Sequence, residues 1–156
     1  MALSNSQVVD VLRAAGEPTR LRILALLAHE ELAVLEICRV LDQSQPRVSR
    51  HLKLLAEARL VERFPDGAWV FYRLVTSGEA RRLVDEVLDI IEPADPTLAR
   101  DSERLRTVQA ERETEAGAYF ARNAARWDEI RALERAGQRV AQLRSEHLGK
   151  LLCSFV

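Results

Sequence analysis

The sequence predicts a mainly α fold with one small β-hairpin, and three observations lead there. Apolar residues recur at helical spacing along most of the chain up to about residue 92. The period changes from 3.6 to 2 only over residues 60–75, around the turn-forming Pro65-Asp66-Gly67. Beyond Pro96 the chain returns to helix-forming Ala, Arg, Glu and Leu, with no proline over 97–148.

Val8, Val11, Leu12 and Ala15 stand at i, i+3, i+4 and i+7 and mark a first amphipathic helix, which Gly16 ends. Glu17-Pro18 opens a second helix, since proline is tolerated in a first turn. From Thr19 to about Ala28 that helix is apolar on nearly every side (Leu21, Ile23, Leu24, Leu26, Leu27), so it belongs at the centre of a core. A third helix is expected from about Leu32 to Leu41, with Val34, Ile37, Cys38 and Leu41 on one face. Asp42-Gln43-Ser44 interrupts it, and Ser44 can cap a fourth. The runs Leu60–Phe64 and Ala68–Val75 form the hairpin, and Leu83, Val84, Val87, Leu88 and Ile91 mark a fifth helix. Three helices, a short turn, a further helix and a hairpin make a winged helix-turn-helix.

The fourth helix carries the chemistry. At 100° per residue Val48, Leu52 and Leu55 share one stripe, while Gln45, Ser49 and Lys53 face away with Arg47 and Arg50 beside them. An amide and guanidinium groups can pair bidentately with purine edges, and hydroxyl and ammonium groups reach phosphates. The chain's net charge of −1 argues against indiscriminate coating of nucleic acid. Over residues 44–73, however, Arg47, Arg50, Lys53, Arg59, Arg63 and Arg73 outnumber Glu57, Glu62 and Asp66. Such a local basic patch suits a bounded contact with double-stranded DNA. Gln45 and Arg47 are expected to read bases, Ser44, Ser49 and Lys53 to hold phosphates, and Arg50 to do either. His51, at the edge of the buried stripe, either joins the DNA contact or packs inside. Arg63, Gly67 and Arg73 supply the wing.

These residues resemble the ArsR family of bacterial repressors. The resemblance rests on Glu17-Pro18-Thr19-Arg20-Leu21-Arg22-Ile23-Leu24, Glu31-Leu32-Ala33-Val34, Ser44-Gln45-Pro46-Arg47-Val48-Ser49-Arg50-His51-Leu52, and Leu60-Val61-Glu62-Arg63 through Gly67 to Phe71-Tyr72-Arg73-Leu74. It spans roughly residues 8–92. It implies a homodimer paired through the first and last domain helices, with each recognition helix in one half of an inverted-repeat operator until an effector releases it. One departure is Ala58-Arg59-Leu60, where the family usually carries glycine in the middle position. Glycine reaches positive φ without strain, so Arg59 must either adopt that geometry at a cost or end the helix differently.

Many members of the family sense metals, and this chain departs from their ligand sets. The positions matching a Cys-Val-Cys site on the third helix are Ala33 and Leu35, and the fifth helix offers Asp85, Glu86 and Asp89 without histidine. His29, Cys38, His51, His147 and Cys153 are scattered, so neither a metal site nor a bound cofactor is expected. Cys38 reads as a buried structural thiol rather than a redox switch, and His29 as part of an exposed turn. Glycine-rich phosphate loops and nucleophile elbows are missing, so no enzyme and no catalytic residue is expected. The chain shows no apolar span of membrane length and no secretory start, and its two cysteines make a disulfide framework improbable on composition, so a cytoplasmic location is the expectation.

The expected organisation is a DNA-binding and dimerisation domain over 1–92, a proline-bounded linker over 93–96 and a helical extension over 97–156, with Thr97 as helix cap. The stretch Arg100-Asp101-Ser102-Glu103-Arg104-Leu105, continued by Tyr119-Phe120-Ala121-Arg122-Asn123-Ala124-Ala125-Arg126-Trp127-Asp128-Glu129-Ile130-Arg131, resembles the connector that joins ArsR-type domains to class I S-adenosylmethionine-dependent methyltransferase domains. The strand and glycine-rich loop of such a domain do not follow. That resemblance implies an alternative role, a regulatory remnant that binds S-adenosylmethionine or S-adenosylhomocysteine. Phe120 and Trp127 are seven apart, and either pack at an interface or clamp a planar small-molecule effector.

Overall fold

A computed structural model describes residues 2–118 of the chain. Its elements run α1 (Asn5–Ala15), α2 (Pro18–His29), β1 (Leu32–Ala33), α3 (Val34–Leu41), α4 (Gln45–Glu57), β2 (Val61–Asp66), β3 (Trp69–Leu74) and α5 (Glu79–Asp89). A last helix, α6, occupies 96–110, and these elements form one unit ending at Ala110. In the second unit, residues 111–118 are helical. Tyr119, Phe120, Trp127, His147 and Cys153, and with them most of the connector resemblance, lie outside the described residues.

Local chemistry explains most boundaries. Ser4 and Gln7 form a capping box at the start of α1, each side chain serving the other's main-chain N–H. At Gly16 a Cβ would lie 2.8 Å from the Leu12 carbonyl oxygen, so only glycine closes that turn without displacement. Glu17 caps α2 by accepting the Arg20 N–H, with Pro18 in the first turn. Ile23, Leu24, Ile37, Val48, Leu52 and Leu55 are fully buried in one core, as the helical stripes predict. Each such side chain contributes about 1.5–3 kcal/mol by leaving water.

Three expectations change. The third helix begins at Val34, because Leu32 and Ala33 form a short strand paired antiparallel with Tyr72 and Phe71. The expected two-stranded hairpin is therefore a three-stranded sheet in the order β1-β3-β2. Asp95, not Thr97, caps α6: its carboxylate accepts the N–H groups of Thr97 and Leu98 at 3.0 and 2.9 Å, leaving Pro96 as the first helical residue.

The end of α4 answers the question raised by Arg59. Arg59 adopts φ 58. Its N–H donates to the Ala56 carbonyl, and that of Leu60 donates to Leu55, both of which are buried leucines. This is a Schellman closure, made here by a residue with a Cβ. A non-glycine residue held there costs about 1–3 kcal/mol, against about 0.5–1 kcal/mol of extra chain entropy for glycine. Arg59→Gly is thus expected to raise unfolding stability by about 1 kcal/mol, read as a higher urea midpoint at unchanged slope. A lower midpoint would contradict the strain.

Candidate nucleic-acid interface

Burying Val48, Leu52 and Leu55 turns the opposite side of α4 outward. Gln45, Arg47, Arg50 and Lys53 are exposed there, and Ser49 is half-buried. Ser44 occupies the N-cap position with extended backbone, but its hydroxyl makes no capping bond. The expected cap is therefore positional only, and the hydroxyl is left available beside the helix N-terminus, where main-chain N–H groups and the helix dipole favour an anion. Among the described residues, no carboxylate lies within ion-pair distance of Arg47, Arg50, Arg59 or Arg63. Lys53 reaches Glu57 at 3.9 Å, but both are well exposed and such a pair holds weakly.

His51 is placed differently from its neighbours. Its side chain is 14% exposed and turns towards α2, with Nδ1 3.6 Å from a Glu17 carboxylate oxygen and without a hydrogen-bond partner among the described residues. Burial holds its pKa below the ordinary 6.5; Glu17 opposes that shift, and the charges of Arg20, Arg47 and Arg50 reinforce it. As pH falls through 6.5 the unfolded chain gains a proton that the folded chain resists. Stability is therefore full above that pH and is lost as pH drops towards the depressed folded value. His51→Gln is expected to flatten the decline in urea midpoint between pH 7.5 and 5.5. An unchanged slope would exclude His51 as its source.

The wing divides its cations. Strand register pairs Asp66 with Trp69, so Gly67 and Ala68 form a two-residue loop, with Gly67 at φ 59. The Arg63 side chain is exposed and has no carboxylate partner among the described residues. Arg73 is engaged instead: its guanidinium lies 3.1 Å from Glu62 and 3.5 Å from Glu31, with its carbon 4.8 Å from the Phe64 ring centre. The Glu62 hydrogen bond, helped by Glu31 and opposed by desolvation, holds Arg73 above the ordinary arginine range. The hairpin register alone identifies Glu62 as the partner of this arginine; Glu31 is brought there by the pairing of β1 with β3, which periodicity does not reveal.

Among the described residues no group of three or more His, Cys, Asp or Glu gathers as a metal site would require, and no helix is long and apolar enough to cross a membrane. Cys38 is a free thiol packed at the core edge, where burial raises its pKa, so little thiolate forms near neutral pH. His29 is exposed at the end of α2.

Residues 17–63 match the profile of the family described as bacterial regulatory protein, arsR family. The chain is 41% identical over 81 residues to the arsenical resistance operon repressor of Escherichia coli K12, covering 50% of this chain and 69% of that protein. It is 37% identical over 86 residues to an uncharacterized HTH-type transcriptional regulator of Methanocaldococcus jannaschii, covering 52% of this chain and 94% of that one. Among solved structures it is similar to HlyU from Vibrio cholerae (TM-score 0.52, 31% identity, 58% of this chain and 97% of that chain). It is also similar to a homodimeric winged helix-turn-helix DNA-binding domain from Mycobacterium bovis, a possible ArsR-family transcriptional regulator (TM-score 0.50, 31% identity, 58% and 89%).

Proposed function

The chain belongs to the arsR family of bacterial regulatory proteins, and from that premise we propose that it is a homodimeric transcriptional repressor whose α4 reads one half of an inverted-repeat operator. The observation that carries the reading is the outward face of α4, where Arg47 and Arg50 stand exposed without a carboxylate partner among the described residues. Two exposed guanidinium groups on a helix fixed by its buried stripe suit bidentate pairing with guanine edges. Gln45 adds an amide for adenine, while Ser44, Ser49, Lys53 and Arg63 serve phosphates.

The dimer is proposed through α1 and α5. Ile90 is 83% exposed and Leu12 48% exposed. A shallow cleft of about 310 Å³ between the two helices is lined by Leu3, Val8 and Leu83. Exposed apolar groups gathered on two helices favour coverage by a second copy, and the M. bovis relative is described as homodimeric. The releasing effector is proposed to be non-metallic. Ala33 and Leu35 carry no ligand atom, and Asp85 on α5 is held by Arg81 at 2.8 Å.

The test is fluorescence anisotropy with a labelled duplex carrying the promoter upstream of the chain's own coding sequence, in excess unrelated DNA. Saturable binding, with light scattering giving twice the monomer mass, supports the proposal. Equal affinity for both DNAs removes the operator-reading function.

A further inference from the structure

The geometry points to Arg104 as a positioning residue for DNA reading: from α6 it holds the C-terminal end of α3 and so sets the turn that launches α4. This rests on the DNA-reading function proposed above. The last turn of any helix leaves carbonyl groups without intrahelical partners. In α3 the Cys38 carbonyl is taken by the N–H groups of Asp42 and Gln43, Asp42 lying in the left-handed region at φ 55. The Val40 carbonyl is taken by Arg104, whose Nη1 donates to it at 3.1 Å from 64 residues further along the chain. A cation at this end also complements the helix dipole.

The anchor that brings Arg104 there is one turn earlier on α6. Asp101 is 1% exposed and accepts two hydrogen bonds from Arg22 of α2, at 2.6 and 2.7 Å. Leu105 and Val108 complete the buried seam. Thus α6 ties α2 to α3, the two helices between which α4 is oriented. Three residues separate the Val40-bearing end of α3 from the first residue of α4: Asp42, Gln43 and Ser44. Within that turn the Gln43 N–H is held by the Cys38 carbonyl, while among the described residues its side chain makes one long contact, Nε2 3.4 Å from Thr19 Oγ1, and its Oε1 has no partner. The turn's geometry therefore depends on the position of the helix end that Arg104 holds.

The test uses the full chain with Arg104→Met, which keeps the aliphatic stem and removes the donors, and Arg104→Lys, which keeps one charged donor group. Three quantities are read: amide exchange at residues 42–45, affinity for the promoter duplex, and the salt dependence of that affinity. Arg104→Met is expected to speed exchange at 42–45 and to weaken operator affinity about 3–10-fold, with the salt slope unchanged and with partial recovery in Arg104→Lys. Affinity within twofold of the parent, with unchanged exchange, overturns the positioning role. So does a salt slope reduced by about one, which would make Arg104 a phosphate contact in its own right. If the parent chain itself does not distinguish the promoter from unrelated DNA, the operator-reading function fails and this role with it. Failure confined to the variant leaves operator reading intact.

Discussion

Arg22→Ala is expected to cost about 3–5 kcal/mol of folding stability, the largest loss from a single polar residue in the described structure. The Arg22–Asp101 pair is bidentate, but its two members are not equally placed: the Asp101 side chain is 2% exposed and that of Arg22 21%. Removing the arginine strands a carboxylate that water cannot reach, whereas Asp101→Ala leaves a guanidinium that can still hydrate. The second loss should therefore be distinctly smaller. Replacing both residues by apolar groups of matching size removes the buried charge altogether and should recover most of the stability. Urea denaturation of the three variants reads all three terms. Equal losses in the two single variants, or a double variant as weak as Arg22→Ala, would show that the pair is not desolvated as its burial indicates. Hydrogen bonding to Asp101 holds Arg22 above its ordinary pKa despite burial, so arginine titration does not complicate the measurement.

This pair also marks where reading the sequence stops. Val48, Leu52 and Leu55 were legible because helical periodicity is local, and each is buried as their shared stripe requires. The conflict at Arg59 was legible too, because the need for positive φ at a helix end follows from the chain's own geometry. Arg22 and Asp101 lie 79 residues apart, and no period or spacing links them. The strand at Leu32–Ala33 was hidden for a similar reason, since its two residues are extended only through pairing with β3. The wing failed on a smaller point. Centring the turn on Asp66 conceals that Glu62 stands opposite Arg73; placing it at Gly67-Ala68 makes the pairing evident from the register alone. Arg73 then reads as the centre of a surface network with Glu62, Glu31 and Phe64, and the availability of wing cations for DNA shifts to Arg63.

The same distinction between engaged and free cations makes the Arg47→Ala/Arg50→Ala variant the sharpest functional test. Each guanidinium that pairs with a base edge contributes about 1–3 kcal/mol of discrimination. If the two act independently, the double variant should lose about 2–6 kcal/mol, at least a ~30-fold weaker affinity for the promoter duplex. Both side chains are exposed and neither has an ion-pair partner among the described residues, so the urea midpoint should move little, within about 0.5 kcal/mol. Loss of affinity without loss of fold is the signature of a reading face. Arg73→Ala should behave in the opposite sense, because its guanidinium is already committed to two carboxylates and a ring: a small stability change and an affinity close to that of the parent. Salt dependence separates the roles further. Loss of a base contact leaves the slope of affinity against salt unchanged, whereas loss of a phosphate contact lowers it by about one unit. A double variant that still binds within threefold of the parent would remove α4 as the reading helix, whatever else the chain does with DNA.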